Sequence, residues 1–276
     1  EAWLRGEGRS PDASFGIGYP LPSFARVKMP PAVLRALDRC QLMALDAAHD
    51  LRERLGTFWG EHADTIGLVM GHMGPTRNAA LYASRCYLDD IAAAVLDATR
   101  PDERAATERL LDGLREATQR FVAPTTENSF PGMMPNVIPA RVANYHDLHG
   151  MNMTVDAGHA STLAAFEAAE RFLCSGELDM AIVGGINGNA AEEVGPAFGL
   201  PLAEGIVLFA VTTVRHAQAE GLPVLAVVGG GDARAAVEPA APCDATGRAV
   251  TYAGADAAID VLRAIVARTP DVTLAR

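Results

Sequence analysis

Aromatic residues make up only 6% of this 276-residue chain, so aliphatic and small side chains must supply most of the packing. With 49% hydrophobic residues, the chain can bury one large core or two small ones. It has no run of about 18 uninterrupted apolar residues, which excludes a transmembrane helix and predicts no membrane partner. Its 23 Lys and Arg against 34 Asp and Glu give a net charge of −11. This charge argues against nucleic-acid binding, which needs a concentrated basic face.

Closely spaced metal or redox cysteines are also lacking. The four cysteines are scattered along the chain, at Cys40, Cys86, Cys174 and Cys243. We predict that they are reduced thiols of a cytoplasmic protein. The glycine turn at residues 229–231 resembles a dinucleotide-binding loop, but Arg234 occupies the place of its third glycine. We therefore predict no bound metal and no cofactor.

Short apolar runs alternate with helical patterns along the chain. The patterns predict strands at residues 66–70, 153–156, 181–183, 206–213 and 224–228. They predict helices at residues 31–55, 77–98, 102–121, 137–145, 161–175, 214–220 and 255–268. Strands that are apolar on both faces and alternate with helices are typical of an α/β fold. The sequence therefore predicts a mainly parallel sheet covered by helices.

A central stretch carries specific motifs in a fixed order. They are residues 131–136 (PGMMPN), 140–142 (ARV), 155–163 (VDAGHASTL) and 175–187 (SGELDMAIVGGIN). Together they resemble the stretch around the nucleophile elbow of thiolase-fold β-ketoacyl synthases. Weaker matches flank them at residues 1–10, 37–42 and 203–205.

The resemblance implies the N-terminal half of the thiolase-like layered fold. It covers residues 1–231, and residues 232–276 are predicted to form a short Ala/Pro-rich tail with a final helix. Family members begin with a glycine-bearing strand upstream of the part that matches this chain. They continue into a second, duplicated half that holds two active-site histidines. We expect the natural chain to extend upstream, and its second half to be missing or reduced to the tail.

The elbow departs from the family pattern at one position. His159 stands where the resemblance places the nucleophilic cysteine. A thiolate at a helix N-terminus accepts the acyl chain as a thioester. An acyl-imidazole is far more labile, and a helix N-terminus disfavours an imidazolium. We therefore expect no carbon–carbon condensation by this chain alone.

Three interpretations of His159 stay open at this point. In the first it fills the vacated nucleophile pocket. In the second it is a general base or proton relay with Ser161. In the third it is a metal ligand with His146 and His149, which stand three residues apart.

The resemblance implies a non-condensing, chain-length-factor-like subunit or domain of polyketide, polyene or fatty-acid biosynthesis. Such a protein shapes or supports an active ketosynthase, and that ketosynthase or a second copy would be its partner, with an acyl carrier protein. Exposed apolar surface is then expected around residues 153–156 and 161–175. One alternative is an enzyme of acyl transfer, thioester hydrolysis or malonyl decarboxylation that uses His159 with Ser161 or Thr162. Another is a carrier-protein docking or scaffold module.

Overall fold

The two central strands of the sheet are buried along their whole length. The computed structural model describes residues 14–16, 18–122, 124–190, 199–228 and 249–268. The strands are β1 (Ile66–His72), β2 (Asn152–Val155), β3 (Met180–Asn187) and β4 (Gly205–Val211). They form one sheet in the order β2-β1-β3-β4, in which β1 pairs in parallel with β2 and β3, and β4 is antiparallel to β3. The prediction of a mainly parallel sheet is confirmed.

Helices pack on the sheet and extend beyond it. Within the described residues they are α1 (Pro31–Ala36), α2 (Arg39–Leu55), α3 (Thr57–Glu61), α4 (Arg77–Ala98), α5 (Arg104–Phe121), α6 (Ser129–Met133), α7 (Val137–His146), α8 (Ser161–Ser175), α9 (Val214–Ala219) and α10 (Asp256–Arg268). A short 3-10 helix, Ala253–Ala255, precedes α10. The bounds of α4 and α8 agree with the predicted ones.

Alternating side chains of β1 enter two separate cores. Leu68 and Met70 pack in a cluster that includes Ile138 of α7 and several side chains of α2. Val69, between them, packs in a second cluster with Ala165 of α8. Because successive side chains of a strand point to opposite faces, the sheet lies between α2 and α7 on one side and α8 on the other.

The predicted helix over residues 31–55 is wrong in one respect, because it is interrupted at Asp38. This residue is extended and caps α2, and its carboxylate accepts hydrogen bonds from the amides of Cys40 and Asn78, both at 2.8 Å. Burial raises the pKa of Asp38. The contact with Asn78 is a tertiary one, so helical periodicity could not predict the break.

The strand predicted at residues 224–228 is also wrong. This segment does not join the sheet, and Val224, Val227 and Val228 are 49%, 65% and 62% exposed. An apolar run forms a strand only where a neighbouring strand pairs with it, and the run itself does not supply that neighbour. The glycine turn at residues 229–231 and Arg234 lie outside the described residues.

Exposed apolar side chains occur mainly away from the predicted place. In α8, Leu163 is the large hydrophobic side chain that is exposed, at 51%. The edge strand β2 is mostly half-buried. The α4–α5 hairpin exposes more, including Tyr87 at 61%, Leu110 at 72% and Phe121 at 81%. No helix in the described residues is long and apolar enough to cross a membrane.

The described part of the predicted tail packs against the sheet end. Val250, Tyr252 and Ile259 form a small core with Ala203, and Val207 of β4 packs against it. Thr251 also pairs with Leu202 in an isolated bridge. The boundary drawn between residues 231 and 232 stays a prediction, because it lies outside the described residues.

Candidate functional site

The turn between β2 and α8 forms the elbow. Asp156 fixes it, since its carboxylate accepts hydrogen bonds from the amides of Gly74 at 2.9 Å and Gly158 at 3.1 Å. These two bonds lower the pKa of Asp156. Gly158 has a φ of 62°, a conformation that glycine adopts without strain. Asp156 thus holds the elbow against the loop that follows β1.

Two glycines let the first turn of α8 approach the sheet closely. A Cβ atom on Gly71 would lie 2.5 Å from the amide nitrogen of Thr162, and one on Gly185 would lie 2.2 Å from its Oγ1. Both glycines are near the carboxyl ends of their strands, β1 and β3. The amino terminus of α8 is therefore seated on the sheet at the end where the elbow lies.

His159 lies on the exposed rim of the elbow, with 56% of its side chain exposed. Its Nδ1 is 3.4 Å from Oδ2 of Asp256, the first residue of α10. Asp256 is itself held, because it accepts hydrogen bonds from the Thr251 hydroxyl and the Tyr252 amide, both at 2.6 Å. Since a carboxylate can only accept, Nδ1 of His159 is the donor in this contact.

Sequence reasoning did not find Asp256. An acidic residue in the first turn of a helix is common because it complements the helix dipole, so the residue type alone gave no signal. Its contact with His159 spans 97 positions of the chain.

The two hydroxyls predicted to act with His159 are engaged elsewhere. Ser161 donates to the carbonyl oxygen of Gly158 at 2.5 Å, and Thr162 donates to that of Gly254 at 2.6 Å. Both side chains are buried, with 0% exposure. Each hydroxyl has one proton and gives it to a backbone oxygen, so neither is presented to His159 as a nucleophile or a relay.

The structure does not bring His146 and His149 to His159. The ring of His146 packs on Trp59, and burial lowers its pKa to about 4. His149 bonds the carboxylates of Asp64 and Asp147. In the described part of the chain, no group of possible metal ligands includes His159. The interpretation of these three residues as one metal site is wrong.

A buried cysteine lies behind the elbow but cannot replace the missing thiol. Sγ of Cys40 is 3.8 Å from Nε2 of His72, the last residue of β1. Burial raises the pKa of the Cys40 thiol and lowers the pKa of His72 to about 4. Both groups are therefore neutral. Cys86 and Cys174 are exposed on α4 and α8, and Cys243 lies outside the described residues.

A family model described as the N-terminal domain of β-ketoacyl synthase matches residues 25–199, which is more than half of the chain. The chain belongs to the β-ketoacyl synthase family. The matched residues include the elbow and strands β1, β2 and β3.

Curated relatives in this family are very large synthases. One polypeptide of the polyunsaturated fatty acid synthase from Thraustochytrium sp. is 30% identical over 122 residues, which are 43% of this chain and 4% of that protein. The polyketide synthase GfsA of Streptomyces halstedii is 33% identical over 119 residues, which are 36% of this chain and 2% of that protein. The chain thus spans only a few per cent of the length of these relatives.

Solved ketosynthases share the fold. A β-ketoacyl synthase from Burkholderia phymatum gives a TM-score of 0.53 at 15% identity, covering 75% of this chain and 49% of that one. A type II polyketide ketosynthase, solved in complex with its acyl carrier protein, gives 0.51 at 11% identity, covering 73% and 55%. The predicted thiolase-like layered fold is confirmed.

Proposed function

We propose that this chain is a non-condensing ketosynthase-like subunit or domain in polyketide, polyene or fatty-acid biosynthesis. In this role it shapes or supports an active ketosynthase partner, as a chain-length factor does. The observation that carries the proposal is His159 on the elbow turn, at the position that resemblance gives to the nucleophilic cysteine. Its substrates would be acyl chains on a carrier protein, handled in the cytoplasm.

The chemistry of the elbow supports this proposal. A thioester intermediate needs a thiolate, and Cys40 is a buried neutral thiol. Among the described residues, His72 lies behind the elbow, and its burial lowers its pKa to about 4. The elbow is seated closely on two glycines of the sheet, and in this proposal it keeps that seating without an acyl-accepting thiol.

A partner would cover apolar surface beside the elbow. That surface is small: Leu163, near the start of α8, is 51% exposed, and β2 beside it is the edge strand of the described sheet. A stable interface needs about 1,200 Å² or more in total. The carrier-protein complex of the structural neighbour favours an acyl carrier protein as a further partner.

The partner role predicts that the chain co-purifies with an active ketosynthase or self-associates, as measured by light scattering. Leu163→Glu should weaken the association at least about tenfold, because an interface core disfavours an unpaired charge. Leu110→Glu is the matched control, since Leu110 is 72% exposed on α5, away from the elbow. The proposal would be contradicted if the chain were a monomer that does not bind the ketosynthase, or if both variants weakened the association equally.

A second candidate function is thioester hydrolysis with His159 as general base. The pairing of Nδ1 with Asp256 favours it, because this carboxylate orients the imidazole that would take a proton from water. Water would attack the thioester carbonyl, and the products would be a free acid and the carrier thiol. In the other form of this alternative, His159 acts with Ser161 or Thr162, whose hydroxyls would first have to leave their backbone acceptors.

One labelling experiment separates the two candidates. The chain is incubated with malonyl thioester and with an acyl carrier protein whose acyl group is radiolabelled. We expect no covalent label on the chain and no condensation product. His159→Cys should still not condense, because the resemblance places the two histidines that assist decarboxylation in a second half that residues 1–231 do not match. Label retained at His159, or condensation by the unmodified chain, would overturn the non-condensing role. Release of free acid that falls in both His159→Ala and Asp256→Asn would favour hydrolysis instead.

A further inference from the structure

A cluster of two histidines and an aspartate lies at the other end of the sheet from the elbow. His62 and Asp179 precede β1 and β3, and His216 lies in α9, after β4. One possible ligand atom of each lies within 4.8 Å of the other two. Imidazole nitrogens and a carboxylate oxygen are the ligands that zinc prefers after thiolates.

The cluster is ordered by contacts with its surroundings. His62 stacks on Phe58 with ring centroids 4.0 Å apart, and His216 packs edge-on against both rings. The Asp179 carboxylate accepts hydrogen bonds from Thr65 at 2.6 Å and from Nδ1 of His62 at 3.2 Å. The three side chains therefore converge on one place and are largely held before any ligand binds.

Hydrogen bonds inside the cluster do not satisfy all of its members. Nε2 of His216 is buried and has no hydrogen-bond partner among the described residues. A buried polar atom without a partner is costly, and of the described residues that carry such an atom, which include Trp59, His72 and His146, only His216 belongs to the cluster of possible metal ligands. A bound cation would give this nitrogen a partner.

A fourth ligand is available from the same helix. Oε2 of Glu220, at the C-cap of α9, is 3.9 Å from Nε2 of His62. His216 and Glu220 are four positions apart, which places them on one face of the helix. Two imidazoles and two carboxylates would give four nitrogen and oxygen donors, the number and donor types that a tetrahedral zinc ion accepts.

We propose that His62, Asp179 and His216, with Glu220 as fourth ligand, bind one zinc-like divalent transition-metal ion. The ion ties α9 to the turn before β1 and to the start of β3. The site is separate from the elbow, since it lies at the amino ends of β1 and β3, while His159 follows the carboxyl end of β2. Its role is structural, and it is independent of the proposed ketosynthase-like function.

The test is a titration of the full chain, freed of metal by a chelator, with Zn(II) and with Co(II) as spectroscopic probe. We expect one equivalent to bind, visible absorption bands of tetrahedral Co(II), and a rise in Tm that the chelator reverses. His216→Leu should weaken metal binding at least about 100-fold. Loss of a group that only orients a ligand already lowers metal affinity about 10- to 100-fold, and loss of the ligand itself should lower it further. It should leave the Tm of the metal-free protein unchanged or higher, because the unpartnered Nε2 is removed.

Two further variants keep the test decisive. Asp179→Asn retains a hydrogen-bond acceptor for Thr65 but loses the charged ligand, so it should fold and bind metal weakly. His149→Ala is the matched control, because His149 also lies between two carboxylates but is exposed, at 57%. No binding at one equivalent, or binding that His149→Ala weakens as much as His216→Leu does, would overturn the proposal.

Discussion

Gly71→Ala is expected to lower the free energy of unfolding by about 3 kcal/mol, the upper range for overpacking a rigid contact. The added Cβ would lie 2.5 Å from the amide nitrogen and 2.7 Å from the Cα of Thr162. This backbone cannot move away easily. The Thr162 hydroxyl is bonded to Gly254, and the same residue abuts Gly185 of β3. The strain therefore falls on the first turn of α8, at the elbow.

Urea denaturation measures this loss, with Gly113→Ala as the matched control. Gly113 is in α5, and a Cβ there would meet nothing within 4 Å. The control variant should gain about 0.5–1 kcal/mol, because alanine is the better helix former. If Gly71→Ala unfolded like the unmodified protein, the close seating of α8 on β1 would not be essential to the fold.

Glu204→Gln is expected to cost about 3 kcal/mol, because it removes the charge that compensates a buried guanidinium. Nη1 of Arg39 contacts both carboxylate oxygens of Glu204 at 2.8 Å, and the two side chains are only 5% and 0% exposed. Glu204 also accepts a hydrogen bond from the Phe15 amide at 2.7 Å. The pair therefore joins α2, the segment before β4 and residues near the start of the described chain.

A double-mutant cycle identifies the cause of this loss. Arg39→Met combined with Glu204→Leu removes both charges, so the double variant should be more stable than either single variant of the pair. The exposed pair Arg104–Glu108 is the control, and its loss should cost less than about 0.5 kcal/mol. A cycle with no coupling between Arg39 and Glu204 would contradict this prediction.

Periodicity determined the parts of the fold whose pattern is local. Helices α4 and α8 begin and end where the sequence predicted, since helical spacing and the stop at Gly176 are contained in the segments themselves. The strands β1 and β3 are apolar up to their last residues, His72 and Asn187, and burial on both faces is what such runs predict. The motifs around the elbow lie within one stretch of sequence, residues 131–187, and their order was enough to suggest the family.

Only the tertiary structure decided the features that join distant segments. Asp256 beside His159, Arg39 with Glu204, and His216 with His62 are pairs whose members are far apart in the chain. Side-chain spacing reports which face of an element is apolar, but it carries no information on which remote polar group meets that face. The break at Asp38 and the loss of the strand at residues 224–228 have the same origin. A cap or a strand forms only where a partner from elsewhere in the chain supplies the hydrogen bonds.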